Sequence, residues 1–211
     1  NGTDEYEIGL KGGQAGFHIT DGSVNTLLWF DEDSIAYQST GAGTSNTIFG
    51  KNAGDSIISG GNYNTLFGED AGTAITTGDK NTIIGYDAGD AAVDVDNMVL
   101  IGHRTGTNIS SADADGTVAI GYEALLDLSN GQYNVAMGYQ SGYNLSTGNQ
   151  NTFIGHQAGY GNDSEALTGD ANVAIGYKAG LDLEGDADNN TLIGVGAGEN
   201  ITTGDDNTII G

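Results

Sequence analysis

The amino-acid sequence predicts an all-β chain, a parallel β-solenoid (β-roll) of about ten rungs preceded by a small β-meander. Three observations carry this expectation. After residue 45 a strand-like pentad closing on glycine recurs ten times, from N-T-I-F-G at 46–50 to N-T-I-I-G at 207–211. The closing glycines Gly50, Gly68, Gly85, Gly102, Gly121, Gly138, Gly155, Gly176, Gly194 and Gly211 are separated by 18, 17, 17, 19, 17, 17, 21, 18 and 17 residues. Apolar residues nowhere recur at the 3.6-residue spacing a helix needs. Short apolar runs bounded by Gly, Asn and Asp are strand and turn chemistry instead.

Taken in order, residues 1–45 stand outside the repeat. Tyr6, Ile8 and Leu10 alternate, as do Phe17 and Ile19, and Asp21-Gly22 is a hairpin signal. Thr26 to Phe30 is a dense apolar strand, followed by the acidic turn Asp31-Glu32-Asp33. This segment is expected to form a meander that caps the open end of the roll, where unpaired strand edges would otherwise be exposed. Residues 46–211 form the solenoid domain. Its last pentad closes on Gly211, and the roll is expected to continue in a longer polypeptide.

Each period starts with Asn (Asn46, Asn64, Asn81, Asn134, Asn151, Asn172, Asn190, Asn207), which either stacks its amides in a ladder or caps a turn. The residue before each closing glycine is always large and apolar, from Phe49 and Phe67 through Ile120 to Ile210, and is expected to face the interior. Alternation then puts Ile48, Leu66, Ile83, Leu100, Ala119, Ala136, Phe153, Ala174, Leu192 and Ile209 on the opposite face. That column is also apolar, so it is expected to be the interface with another copy of the chain. Four residues past most closing glycines comes a second glycine, with Leu125 as the exception, and three residues later an aliphatic such as Ile57, Ile75 or Leu145. Each rung should therefore hold two short strands and two glycine corners. Glu123 reads as a surface residue.

Composition removes whole classes of function. With no Cys there is no disulfide scaffold, thiolate zinc site or thiol catalysis. Five Lys and Arg against 29 Asp and Glu give a net charge of -24, which opposes nucleic acid and anionic membrane surfaces. No apolar run approaches the ~20 residues of a membrane span. No nucleophile elbow or phosphate loop is present, and an enzyme is not expected.

The repeats V-A-I-G and T-I-I-G followed by Y-x-A-G or H-x-A-G resemble the YadA-like head repeats of trimeric autotransporter adhesins. Gly121-Tyr122-Glu123-Ala124 and Gly176-Tyr177-Lys178-Ala179 carry the likeness best. The same repeat occurs in tail-fibre proteins of bacterial viruses. The resemblance covers residues 46–211 and implies a left-handed β-roll, three chains around one axis, and a structural or adhesive role outside the cell, on a cell surface or on a virion. The period here is a few residues longer than the usual adhesin repeat.

Two further sets of residues are candidate sites. Tyr86, His103, Tyr122, Tyr139, His156 and Tyr177 share the column after the closing glycine and form an aromatic stripe. Such a stripe either stacks on a cell-surface glycan or receptor, or packs the solenoid flank. Asp94/Asp96, Asp113/Asp115 and Asp186/Asp188 alternate in glycine- and asparagine-rich loops, a pattern suited to calcium ions, although no known calcium-loop motif is present. The alternative is a solvated acidic surface. The function expected is a structural segment of a homotrimeric fibre. The alternatives are a glycan- or receptor-binding module and an ice-binding solenoid, for which the Thr column is interrupted by Val.

Overall fold

The computed structural model describes residues 43–110, 114–161 and 165–211, and the backbone alone of 7–9, 16–20 and 26–31. Three strands lie in the N-terminal part: β1 (Glu7–Gly9), β2 (Gly16–Thr20) and β3 (Thr26–Asp31). They form an antiparallel sheet in the order β1-β2-β3, with Ile8 opposite Ile19 and Phe17 opposite Phe30. The alternation of Ile8, Phe17 and Ile19 is thus strand alternation. The Asp21-Gly22 turn and the turn at Glu32 and Asp33 lie outside the described residues.

Every pentad supplies one three-residue strand: β4 (Thr47–Phe49), β5 (Thr65–Phe67), β6 (Thr82–Ile84), β7 (Val99–Ile101), β8 (Val118–Ile120), β9 (Val135–Met137), β10 (Thr152–Ile154), β11 (Val173–Ile175), β12 (Thr191–Ile193) and β13 (Thr208–Ile210). They pair in chain order into one ten-stranded parallel sheet. The register is strictly rung on rung, with Ile83 beside Leu100 and Leu100 beside Ala119. This is a β-solenoid of about nine turns, roughly 43 Å long at ~4.8 Å per rung.

The second apolar segment of each rung does not form a regular strand. It still bonds rung to rung, as Ser56 N–H to Thr73 O (3.2 Å) and Thr76 N–H to Val93 O (3.0 Å) show. Among the described residues, strand pairing there is limited to isolated bridges of Leu167 with Leu145 and with Gly185. The expected two strands per rung are therefore one strand and one hydrogen-bonded, turn-rich side. The longest repeat, with its extra residues around 162–164, brings Leu167 into the core in place of the aliphatic expected at Asn162.

The two strand columns are exchanged relative to the sequence expectation. The middle residue of each strand points inward: Ile48, Leu66, Ile83, Leu100, Ala119, Ala136, Phe153, Ala174 and Leu192 are all buried within the single chain. Ile209, in the last strand, is partly exposed. These residues are core, so they cannot be the interface assigned to them. The residue before the closing glycine points outward instead, with Phe49 55% and Phe67 53% exposed. Hydrophobicity could not decide the parity because both columns are apolar. The Asn column decides it: Asn and the core residue lie two apart, and both face in.

Opposite the sheet the core is completed by Ile57, Ile75, Ile109, Leu128, Leu145, Leu167 and Leu183, with a column of small residues such as Ala71 and Ala88 at the corner. Where a polar residue stands in for Ala, its hydroxyl is satisfied: Thr105 Oγ1 donates to Gly121 O (2.6 Å) and Ser141 Oγ to Phe153 O (2.8 Å). Side-chain volume is matched between rungs. Phe153 lies between Ala136 and Ala174 in the sheet. Leu125 is fully buried in the same core. A Cβ on Gly142 would meet Leu125 Cδ2 at 2.6 Å and the Phe153 ring at 2.9 Å. The alanines therefore make room inside the roll, not between chains.

The Asn column is a buried ladder. Asn64 N–H donates to Asn46 Oδ1 (2.8 Å), Asn81 N–H to Asn64 Oδ1 (2.9 Å) and Met98 N–H to Asn81 Oδ1 (2.9 Å). From Asn46 to Asn190 each amide nitrogen also reaches a corner carbonyl, as Asn64 Nδ2 to Gly78 O (2.8 Å) and Asn134 Nδ2 to Gly148 O (2.8 Å). One side chain thus satisfies two backbone groups that burial would otherwise leave without water.

Candidate functional site

The site is built from columns, because every residue repeats at the same height on each rung. Along β4–β13 the outward positions alternate between Thr or Val and the large apolar residue before the glycine. Phe49, Phe67, Met137, Ile193 and Ile210 are exposed, whereas Ile84, Ile101, Ile120, Ile154 and Ile175 are half-buried among their neighbours. Phe49 and Phe67 stack with ring centroids 5.1 Å apart. The result is an apolar stripe along the whole sheet, on the side away from the core. Soluble monomers rarely expose a continuous patch of that extent.

The closing glycine that follows has φ near +140° on every rung, for example +142° at Gly102. Any Cβ there would be strained, and at Gly102 it would stand 2.4 Å from the Gly121 carbonyl oxygen. Glycine is required because the next rung's backbone lies directly against it. The next residue begins a turn whose second position is left-handed: Asp87, Arg104, Glu123, Gln140, Gln157 and Lys178 all have φ between +50° and +55°.

The aromatic stripe forms one continuous ladder. Ring centroids are 5.2 Å apart for Tyr86–His103, 5.4 Å for His103–Tyr122, 5.2 Å for Tyr122–Tyr139, 4.9 Å for Tyr139–His156 and 5.3 Å for His156–Tyr177. All six residues are exposed. Each interior ring has neighbours on both faces, so the flank presents ring edges and polar tips. At one end Lys178 Nζ lies 5.6 Å from the Tyr177 centroid. At the other, Glu69 occupies the same column and pairs with Lys51 at 2.8 Å.

The left-handed column carries a polar chain beside the ladder. Glu123 is 5% exposed, and its two oxygens accept from Arg104 Nη1 (2.6 Å) and Gln140 Nε2 (3.0 Å). Gln157 Nε2 extends the chain to Gln140 Oε1 (3.1 Å). Glu123 is thus a buried, paired carboxylate and not the surface residue expected. A hydrogen bond to Glu123 raises the Tyr122 phenol above its ordinary pKa. The charge of Asp87, and then burial, raises the Tyr86 phenol in the same direction.

The acidic residues proposed from sequence as calcium ligands divide into three groups. Asp96, Asp115 and Asp188 belong to a second corner ladder, accepting the backbone N–H of Asp79 (2.6 Å), Asp96 (2.7 Å) and Asp170 (2.7 Å). Asp94 Oδ1 accepts from the hydroxyls of Thr76 and Thr77, which holds its carboxyl below the usual range. Asp186 is exposed, and Asp113 lies outside the described residues. Among the described residues no three His, Asp or Glu side chains converge as a metal site would require. Nor is any described helix long and apolar enough to cross a membrane.

The chain matches no family model, no curated protein and no solved structure. What it can do is therefore argued from its surfaces. The corner ladders are occupied by backbone hydrogen bonds. Among the described residues, the exposed features that continue from rung to rung are the apolar stripe on the sheet and the aromatic ladder beside it.

Proposed function

We propose that the chain is a structural segment of an extracellular or virion fibre in which copies associate side by side through the outward face of the ten-stranded sheet. The single observation that supports this is the apolar stripe from Phe49 to Ile210, which one chain leaves in water. Parallel, in-register association places each residue of the stripe opposite its own copy at the same height, as cyclic symmetry requires. The sequence resemblance to YadA-like heads favours three copies and a left-handed roll. A rod with satisfied corners, no cysteine and a net charge of -24 suits a soluble shaft that contributes to surface attachment.

Since the chain has no cysteine, one introduced thiol reports the geometry without background. The Met137→Cys variant should give an intermolecular disulfide between identical positions on mild oxidation. An Asn130→Cys variant, with its thiol at an exposed corner, should not. Equal cross-linking of both variants, or of neither, would contradict the proposed face.

A further inference from the structure

From one end to the other the aromatic ladder reads Tyr86, His103, Tyr122, Tyr139, His156, Tyr177. Only one step in it sets tyrosine against tyrosine. Tyr122 and Tyr139 stack with centroids 5.2 Å apart and planes 10° from parallel, the flattest stack of the ladder. At the other steps a histidine intervenes, which holds Tyr86 and Tyr177 two rungs, roughly 10 Å, from the next ladder phenol. Both central rings meet solvent, Tyr122 being 39% and Tyr139 45% exposed. The same step carries a base. The Tyr122 hydroxyl donates to the Glu123 carboxylate, which Arg104 and Gln140 hold in place. Tyr86 has a similar acceptor in Asp87, but its ladder neighbour is His103. The chain also offers few competing sinks for an oxidant. It has no cysteine, and of its two methionines Met98 is fully buried.

We propose that Tyr122 and Tyr139 form a site of oxidative coupling, at which a one-electron oxidant, a haem peroxidase or a photo-oxidised metal complex, joins the two rings across adjacent rungs. The oxidant takes one electron from Tyr122, and the phenol proton passes to Glu123. A base already in hydrogen-bond contact takes that proton as the electron leaves, which lowers the barrier. A second oxidising equivalent takes an electron from Tyr139, whose proton goes to water. Exposed rings can change rotamer, which brings one ortho carbon of each together. The two phenoxyl radicals pair there in a carbon–carbon bond, and the two ring hydrogens move to the phenol oxygens. Two electrons have then gone to the oxidant and two protons to Glu123 and water. The product is a dityrosine, lighter by two hydrogen atoms. It staples one rung to the next and restricts the unfolded chain as a disulfide would. The reaction needs a single chain and stands whether or not copies associate.

The test is irradiation of the unmodified chain in dilute neutral solution with tris(bipyridine)ruthenium(II), with persulfate as the final electron acceptor. Dityrosine fluorescence should appear in material that keeps the mobility of one 21.5 kDa chain on a denaturing gel. Glutamate-specific protease cuts after Glu123, between the two rings, and should release segment 70–123 joined to segment 124–165. Coupling of Tyr143 with Tyr160, which also stack at 5.1 Å, would instead stay inside segment 124–165. Tyr139→Phe keeps the ring and loses the phenol, and should lower the yield of joined segments about tenfold or more. Tyr63→Phe/Tyr133→Phe, which alters two exposed tyrosines outside the ladder, should leave it unchanged. Glu123→Gln, which keeps the shape and loses the base, should slow the coupling about tenfold or more. No joined segments, an undiminished yield in Tyr139→Phe, or joining only between chains would overturn the proposal. An unchanged rate in Glu123→Gln would overturn the part given to that carboxylate.

Discussion

Phe153 lies in the sheet between Ala136 and Ala174, and Leu125 is buried in the same core. Removing the ring leaves four alanines in succession and a cavity the stiff rungs cannot close. Phe153→Ala should cost about 3–5 kcal/mol in denaturant unfolding. Glu123 carries a second test. Its carboxylate is buried and joins Arg104 to Gln140, so Glu123→Ala should destabilise by about 1–3 kcal/mol. The same carboxylate raises the Tyr122 phenol, and the hydrogen bond exists only while the phenol keeps its proton. Its contribution is therefore fully present below pH ~10 and lost as pH rises through the raised folded value. Comparing the alkaline titration of the chain with that of Tyr122→Phe should isolate a phenol ionising above the ordinary range. Glu123→Gln should move it down.

At the scale of the element, each rung is a three-residue strand held by its corners. Gly102 faces the Gly121 backbone at φ +142°, and Gly102→Ala should unfold the solenoid locally and open it to protease. The corner Asn works from inside the turn. Asn151→Ala removes an acceptor for the Asn172 N–H and a donor to Gly169 O, and should cost about 1–3 kcal/mol. The Asp ladder is occupied in the same way. Calcium or chelator at fixed ionic strength should leave the melting temperature unchanged, and a calcium-dependent rise would instead make Asp96, Asp115 and Asp188 metal ligands.

The repeat, its period and its parallel register were legible in the sequence because glycine and Asn recur at every corner. The aromatic column was legible for the same reason. The facing of the strand was not, since Ile48 and Phe49 are both apolar and the polar mark of the wet side, Thr at the first strand position, gives way to Val in β7, β8, β9 and β11. The readable signal was size: a column mixing Phe153 with Ala136 and Ala174 compensates across rungs, as only an enclosed interior must. The burial of Glu123 was hidden because its partner Arg104 lies one rung away.

For the whole molecule, the central claim is that the sheet's outward face joins copies and its inward face holds each chain together. The two columns should therefore respond differently to charge. Leu100→Lys puts an unpaired charge in the core and should abolish folding. Ile120→Lys with Met137→Lys alters only the outward stripe and should leave the solenoid folded. Sedimentation equilibrium at micromolar concentration tests this most directly. The unmodified protein should sediment as an assembly of several 21.5 kDa chains, three by the resemblance, and the Ile120→Lys/Met137→Lys variant as a folded single chain. An unmodified chain that sediments as a folded monomer of 21.5 kDa would contradict it.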